Sequence, residues 1–461
     1  MHIARTAAPV VAAAIVLASG AASAQTGPHE PRKSDASTSG TEQKSDDEQS
    51  TSKPATEAGK DIEIDDAHEA QKRSEELGAP SPARQEMEPA SEPPKKEDEW
   101  DPDEKKFTVG GYVETFYQYN FNDPGNGISN HRGYDTRHNT FTISNAVLDT
   151  GFRARNLLGR LALQVGHTPA TYYAEEPSLG GSDGAGPSDP TLWRYVQRAS
   201  FGWQATRSFL LEGGIFLTNI GVESLSVKDN WHWSRTMASV RLPNYSSGIK
   251  TSWHATDRLD VSVGLFNGWN TIVDNNDEKS ILVQAQYRAK ESVSASVAYY
   301  GGVEREGGAI EGRAWRHALD VYAQASATKW LELAAEGTGG WEDNRFGIHW
   351  FAGTAGYVRF RPLRWLYVAF RGDRLWEDPS ASARGSARPF LIPAHWVTSG
   401  VMTLDARPVQ GLSIRLEARH DIADRALFFR GDVQGDGSAE EPYVPNARVQ
   451  SSLLAGVVIW F

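Results

Sequence analysis

Residues 107–121 read FTVGGYVETFYQYNF, and their side chains alternate between two characters. The odd-numbered positions, which include Phe107 and Tyr117, are mostly apolar or aromatic, whereas the even-numbered positions include Glu114 and Gln118. A period of two is typical of a β-strand with one apolar and one polar face. A strand of about 15 residues is long for a soluble protein, and it suits a tilted strand that crosses a membrane and extends beyond it.

The same alternation recurs from residue 106 to the last residue, and the segments that interrupt it differ in length. Short turns lie at 156–159, 205–208, 255–258, 289–292, 327–329, 362–364 and 408–411. Longer connections lie between them, at 123–138, 168–190, 219–245, 268–278, 301–314, 341–346, 375–393 and 422–449. This regular change between tight turns and long loops predicts an all-β fold, a transmembrane antiparallel up-and-down β-barrel of about 16 strands, with 14 to 18 left open.

The C-terminus has the pattern of a strand that closes such a barrel. Gly456, Ile459 and Phe461 occupy the glycine, apolar and terminal aromatic positions of the closing-strand signal. Leu454 departs from it, because a polar residue is expected there. We expect this strand to pair with the first one, which removes the free edges of the sheet. The barrel-assembly machinery of Gram-negative bacteria is expected to recognise the strand that ends in Phe461.

The N-terminus predicts export. Residues 1–24 combine Arg5, an apolar Ala-rich stretch and a small-residue cleavage site at 22–24, as in a secretory signal peptide. The mature chain would then begin at Gln25. The sequence contains no cysteine, so we expect neither disulfides nor thiolate metal sites.

Residues 25–105 differ in composition from the rest of the chain. They hold 11 basic and 23 acidic residues, a net charge of −12 that equals the net charge of the whole chain. They contain few large apolar side chains, so burial cannot offset the entropy lost on ordering, and we predict disorder. We interpret this segment as an acidic periplasmic tail that is either a solvated spacer or a contact to periplasmic or cell-wall partners. The barrel would occupy residues 106–461.

Aromatic residues cluster near the predicted strand ends. Next to the short turns lie Trp203, Trp253, Trp330, Trp365 and Trp460. At the opposite strand ends lie Tyr117, Tyr299, Trp341 and Trp376. Amphipathic rings favour the boundary between membrane and water, so the two sets predict an aromatic girdle at each interface.

Four sets of segments match the pattern of a known family. They are 111–122 (GYVETFYQYNFN), 139–141 (NTF) with 145–148 (NAVL), 213–223 (GGIFLTNIGVE) with 234–235 (SR), and 266–270 (FNGWN) with 274–276 (DNN). Together they resemble the OmpL-like family of outer-membrane beta-barrel porins. The resemblance covers most of residues 106–461 and implies an outer-membrane pore of undefined substrate. The acidic tail lies outside the family pattern.

The polar face of each predicted strand would line the interior of the barrel. Our candidate pore-lining residues are Arg153, Arg155, Arg160, Arg194, Arg198, Arg288, Arg371, Arg415, Arg419, Glu114, Glu212, Asp373 and Glu417. Lys250, Arg359, Asp260, Asp320, Glu332, Glu336 and Asp405 are expected to face the same way. Because the two signs nearly balance, the charges either create a transverse field across a water-filled constriction or pair with one another and stiffen the wall. The arginines of strands two to four favour a mild preference for anions.

These patterns predict a porin, a passive channel for small hydrophilic solutes or ions in the bacterial outer membrane. The alternative is a structural outer-membrane protein that tethers the barrel to periplasmic or cell-wall partners through its acidic tail. We expect no enzyme, because a lipase of this membrane needs a serine beside a histidine on the lipid-facing wall, and His317 has no obvious companion. We expect no cofactor and no metal site, since His167, His254 and His420 lack metal-ligand spacing.

The expected partners are outer-membrane lipid, the barrel-assembly machinery and small hydrophilic solutes, with no nucleic acid. Assembly as a homotrimer is left open. One of two long connections, 168–190 or 219–245, is expected to fold inward and narrow the pore. Transport requires a water-filled interior, so a cylinder filled solidly with side chains would contradict it.

Overall fold

The computed structural model describes residues 105–176, 190–218, 220–289, 292–378, 392–438 and 440–461. The signal peptide predicted for residues 1–24 lies outside the described residues, and so does the acidic tail up to residue 104.

The described residues form one closed antiparallel barrel of sixteen strands, in which each strand pairs with its neighbours in sequence and the last strand pairs with the first. The strands are β1 (Lys105–Asn120), β2 (Thr140–Ala154), β3 (Leu157–Val165), β4 (Val196–Thr206), β5 (Phe209–Leu217), β6 (Tyr245–Thr256), β7 (Leu259–Phe266), β8 (Ser280–Ala289), β9 (Val293–Val303), β10 (Trp315–Thr328), β11 (Leu331–Asn344), β12 (Gly347–Leu363), β13 (Leu366–Glu377), β14 (Trp396–Ala406), β15 (Leu412–Ala423) and β16 (Val449–Trp460). This architecture confirms the predicted fold and strand number.

Closure of the barrel involves the predicted C-terminal strand. Tyr112 of β1 lies opposite Trp460 of β16. Gly111 and Phe461 exchange two backbone hydrogen bonds, with N···O distances of 3.3 and 3.1 Å. The pairing leaves neither terminal strand with a free edge, which is the structural reason for an antiparallel chain to close on itself.

The two ends of the barrel differ in the length of their connections. At one end, seven connections of two to five residues join the strands. At the other end the connections run from 11 to 30 residues, except for the two-residue turn at 345–346 between β11 and β12. We call these the short-turn end and the long-loop end. Both the start of β1 and the end of β16 lie at the short-turn end.

Two short α-helices lie in the long connection between β3 and β4: α1 (His167–Tyr172) and α2 (Pro190–Trp193). Within the described part of the chain, no α-helix has the length and apolar character that a membrane crossing needs.

The strand faces follow the sequence alternation. Outward-facing Phe201 is 72% exposed in the isolated chain, whereas inward-facing Glu114 is 1% exposed. The exposed apolar side chains of the strands face outward and give the cylinder an apolar surface suited to contact with lipid. The interior is polar, and it holds most of the charged side chains of the strands.

The aromatic girdle at the short-turn end is formed by four of its five predicted members. Trp203, Trp253, Trp330 and Trp365 are about half exposed on the outer surface. Trp460 was placed wrongly, because it faces inward and packs against two buried clusters, one that contains Phe116 and one that contains Tyr112. The aromatic position that faces outward on the last strand is the terminal one, Phe461.

Candidate pore constriction

The connection between β5 and β6 folds into the interior of the barrel. Its residues 220–244, here called the lumen loop, include two 3₁₀ turns, Val227–Asp229 and Ser239–Arg241. The N–H of Val222 donates to a carboxylate of β11, and the N–H of Val227 donates to a carboxylate of β1. Of the two connections expected to narrow the pore, the second one therefore lies inside.

Five carboxylates of the described wall accept hydrogen bonds from backbone N–H groups of the lumen loop. Glu417 of β15 accepts from Trp233 at 2.6 Å and from Ser234 at 2.9 Å. The other bonds run from Val227 to Glu114 (2.6 Å), Gly221 to Asp320 (3.1 Å), Val222 to Glu336 (3.0 Å) and Met237 to Asp373 (3.3 Å). An irregular buried segment has no ladder partner for its N–H groups, and a charged acceptor provides a strong one.

Three arginines of the wall donate to backbone carbonyl groups of the same loop. Arg371 of β13 donates to Ser234 O at 2.6 Å and to Arg235 O at 3.0 Å. Arg415 donates to His232 O at 3.1 Å, and Arg419 donates to Arg235 O at 2.6 Å. Each of these guanidinium groups also pairs with a carboxylate of the wall, so its charge is compensated although it is buried.

The wall charges that hold the lumen loop are covered by it. The side chain of Arg371 is 0% exposed and that of Glu417 is 1% exposed. This group includes six of the predicted pore-lining residues: Arg371, Arg415, Arg419, Glu114, Asp373 and Glu417. Asp320, Glu336 and Arg359 belong to it as well, and Arg359 lies 4.8 Å from the ring of Trp231. These residues point into the barrel, but they contact the loop and not an open interior.

The lumen loop also explains why the last strand departs from the closing-strand pattern. Leu454, which occupies a polar position of the pattern, packs with Phe116, Val227 and Trp233 in a buried apolar cluster. A Cβ atom at Gly456 would lie 2.3 Å from the ring of Trp233, so only glycine fits there. The interior of the barrel is apolar at this point because the loop brings an aromatic ring to it.

The opposite side of the interior, formed by β2 to β8, has charges that pair with one another. Arg160 Nε donates to Asp149 at 2.9 Å. Glu212 pairs with Arg198 at 3.0 Å and with Lys250 at 3.2 Å. Further along the wall, Asp260 contacts both Arg288 and His254. The cations of this group are partly exposed to the interior, from 12% for Arg198 to 43% for Arg288, whereas Glu212 is 9% and Asp260 is 5% exposed.

Three predicted pore-lining arginines lie at strand ends. Arg153 faces inward at the short-turn end of β2, opposite Lys106. Arg155 was predicted wrongly, because it lies in the exposed turn after β2 with a positive φ of 55°. Arg194 was also wrong, since it precedes β4 and its guanidinium lies 5.0 Å from the ring of exposed Tyr195. A period of two places a side chain only as far as the strand continues.

Residues 106–461 match the model of a protein family described as "Putative beta-barrel porin-2, OmpL-like". The chain belongs to this family. The match confirms the resemblance found in the sequence, and it identifies the described part as a porin-like channel fold of the bacterial outer membrane. No curated protein matches the chain.

Two solved outer-membrane protein structures with a TM-score of 0.50 have the same fold at low sequence identity. The anion-selective porin from Comamonas acidovorans is 10% identical with a TM-score of 0.50, over 78% of this chain and 100% of that chain. Outer-membrane-expressed OmpT of Vibrio cholerae is 8% identical with a TM-score of 0.50, over 78% of this chain and 98% of that chain. The DcaP channel of Acinetobacter baumannii is 10% identical with a TM-score of 0.49, over 77% of this chain and 97% of that chain.

Within this porin fold, the sequence reasoning missed Arg235 of the lumen loop. Its guanidinium donates to Ser224 O at 2.9 Å and to Leu225 O at 2.6 Å, so it ties two parts of the loop together. A signal was present, because the Ser234-Arg235 pair belongs to the segments that resemble the family. Its role could not be predicted, because the alternation of side chains along strands says nothing about a residue in a loop.

In this porin, one long connection contacts the lumen loop, and another contacts β6 and the connection between β7 and β8. In the connection between β1 and β2, the Nδ1 atom of His131 lies 3.1 Å from Arg241 Nη2 of the lumen loop. Burial and the charge of Arg241 lower the pKa of His131 to about 3, so the ring is neutral and can accept this hydrogen bond. In the connection between β3 and β4, Glu176 accepts from Ile272 N at 2.9 Å and from Tyr245 Oη at 2.8 Å.

The histidines of the described residues do not form a metal site. No group of three or more His, Asp or Glu side chains in that part of the chain is placed to hold a metal ion. His254 pairs with Asp260 on the wall, whereas His420 faces outward and lies 2.8 Å from the hydroxyl of Ser451.

Proposed function

We propose that this protein is a passive outer-membrane channel for small hydrophilic solutes or ions, with a mild preference for anions. The observation that carries the proposal is the unequal interior. The lumen loop covers the charges that hold it on β1, β10, β11, β13 and β15, whereas the cations of β2 to β8 are partly exposed inside the barrel. Solutes would pass between the loop and this second side.

The cylinder is wide enough for this role. Barrels of eight strands are filled by their own side chains, whereas barrels of about 16 strands enclose an aqueous channel. In this barrel the lumen loop occupies part of the interior, and charged side chains of the wall form hydrogen bonds to its N–H and carbonyl groups. The lumen loop would therefore act as a constriction of the channel.

The preference for anions rests on the inward charges of β2 to β8. The cations there are Arg153, Arg160, Arg198, Lys250 and Arg288. The carboxylates there are Asp149, Glu212 and Asp260. Five cations against three carboxylates give this side a small positive excess, which attracts anions and repels cations in a narrow aqueous path.

The proposal includes an orientation and the partners. The long-loop end would face outward, and the acidic tail would extend into the periplasm from the short-turn end, where β1 begins. Recognition of the Phe461 strand by the barrel-assembly machinery, and association of three barrels, stay predictions. No catalytic step is part of this function.

The test is conductance in planar bilayers. Purified, folded protein should form channels whose reversal potential in a KCl gradient indicates a mild preference for chloride. Clear cation selectivity would reject the anion preference, and insertion without any conductance would reject the channel. A variant without residues 25–104 should conduct like the full chain if the tail is a spacer. Loss of conductance in that variant would mean that the channel needs the acidic tail to function.

A further inference from the structure

The lipid-facing surface of the barrel carries a cation near the long-loop end. Arg374 lies on β13 and shares the outward face with Phe370 and Gly372, since Arg371 and Asp373 face inward. Its guanidinium lies 4.4 Å from the ring centre of Trp396 and 5.1 Å from that of Trp376. Trp376 belongs to the aromatic girdle predicted for the long-loop end, so the two tryptophans place Arg374 at that level.

Arg374 has no counter-charge within the described part of the chain. No ion pair joins it to a described carboxylate, and its Nε atom has no hydrogen-bond partner there. Two other arginines at the long-loop end differ, since Arg313 pairs with Glu278 and Arg425 pairs with Asp424. A cation on a lipid-facing surface is costly unless it reaches an anion or water at the interface.

Polar side chains flank this arginine on both neighbouring strands. Thr354 of β12 and Thr398 of β14 lie directly opposite Arg374 in the register of the sheet. The hydroxyl of Thr398 also lacks a hydrogen-bond partner among the described residues. A row of three polar side chains thus crosses the outer surface, and outward-facing His420 of β15 lies beside Gly400 on the same face.

The surface below this row is depressed. Gly356, Gly372 and Gly400 lie side by side on β12, β13 and β14. A Cβ atom at any of the three would meet nothing within 4 Å, so the missing side chains leave open space on the outer face. Three adjacent strands make this depression about 10 Å wide.

We propose that this face binds the phosphate group of a lipid of the outer leaflet. Arg374 would pair with the phosphate, and the hydroxyl of exposed Thr354 would donate to one of its oxygens. The glycerol and acyl-ester part would lie in the glycine depression, beneath the rings of Trp376 and Trp396. Phosphate is favoured because the row offers a charge and donors together, at interface depth. The inference relies on the outer-membrane placement and not on conductance.

Native mass spectrometry of the full chain in a neutral detergent tests the proposal, with phosphatidylglycerol and diacylglycerol of the same acyl chains as probes. The protein should retain phosphatidylglycerol in preference to diacylglycerol. Arg374→Gln should weaken that retention about five- to tenfold, and Arg374→Lys should restore part of it. Arg313→Gln removes a paired arginine from the same end and should change nothing. A heat-dependent gel shift checks that each variant is folded.

Two results would overturn the proposal. The first is that the unaltered protein retains the two lipids equally, or that Arg374→Gln retains as much phosphatidylglycerol as the unaltered protein does. The other is a change in the number of chains per particle in Arg374→Gln with no change in bound lipid, which would assign this face to a second copy of the barrel. A protein that fails to conduct but retains phosphatidylglycerol through Arg374 would reject the channel function and leave this site standing.

Discussion

The two sides of the barrel interior use the same residue types for different purposes. On the side of β13 to β15, Arg371 and Glu417 are buried and bond to the backbone of the lumen loop. On the side of β2 to β8, Arg198 and Lys250 share the carboxylate of Glu212 and stay partly exposed. The role of an inward-facing charge therefore depends on whether the lumen loop contacts it. A contacted charge anchors the loop, and an uncontacted one can line the path of solutes.

The two sides of the interior use their charges differently for a physical reason. A buried loop without regular structure brings many N–H and carbonyl groups into the interior, and each needs a partner. Ionised side chains of the wall meet several of these groups with strong hydrogen bonds. The side that holds the loop therefore uses its charges to bind backbone, whereas the other side retains charges that can act on solutes.

Removal of the lumen loop should have the largest effect. We expect a variant in which residues 222–240 are replaced by a short Gly-Ser linker to show a several-fold higher single-channel conductance, because the constriction is gone. The control shortens the connection between β15 and β16 around residues 434–436, which are exposed. An unchanged conductance in the first variant would mean that the constriction lies elsewhere.

Weakening one anchor should loosen the loop without removing it. Glu417→Gln leaves the N–H groups of Trp233 and Ser234 with a neutral acceptor, which should cost about 1–3 kcal/mol. We expect more frequent current fluctuations and a lower temperature for the heat-dependent gel shift. Glu212→Gln, on the other side, is the matched control and should leave the fluctuations unchanged. Equal behaviour of the two variants would contradict the division between the sides.

The exposed side should determine ion selectivity. Lys250→Gln removes one of the five cations of that side, so the reversal potential in a KCl gradient should move toward cations, by less than about threefold in permeability ratio. Arg425→Gln removes an exposed charge at the long-loop end and should leave the reversal potential unchanged. If Lys250→Gln has no effect, solutes do not pass along this wall.

The smallest effect concerns pH and the contact between His131 and Arg241. The pKa of His131 is lowered to about 3 in the folded protein, whereas an unfolded chain binds the proton near the ordinary value of 6.5. The unfolded state thus binds more protons between these values, so this histidine lowers stability progressively as the pH falls from about 7 toward 3. His131→Gln keeps an acceptor for Arg241 and should make the gel-shift temperature less sensitive to acid over this range.

The outward surface followed directly from sequence. The alternation in 107–121 predicted which face of β1 meets lipid, and the spacing of turns gave sixteen strands. The prediction failed at Arg155, Arg194 and Trp460, all at strand ends. A period of two cannot indicate where a strand stops, which explains Arg155 and Arg194. At Trp460 the period itself gives the inward side, since Ile459 and Phe461 face outward, and the girdle prediction went against it.

The role of the inward charges could not be read in the same way. Glu114 and Glu212 are both glutamates at inward-facing positions of a strand. Glu114 accepts a hydrogen bond from Val227 of the lumen loop, whereas Glu212 pairs with Lys250. Their partners come from residues more than a hundred positions away in the first case and 38 away in the second. Only the path of the lumen loop decides between them.

The sequence by itself determined a closed cylinder that is apolar outside and polar inside, because lipid contact and backbone pairing impose a period of two on every strand. The tertiary structure decided which polar residues meet water, which meet the lumen loop, and where Arg374 meets the lipid without a carboxylate. Those outcomes depend on contacts between elements distant in sequence, and such contacts leave no local pattern in the chain.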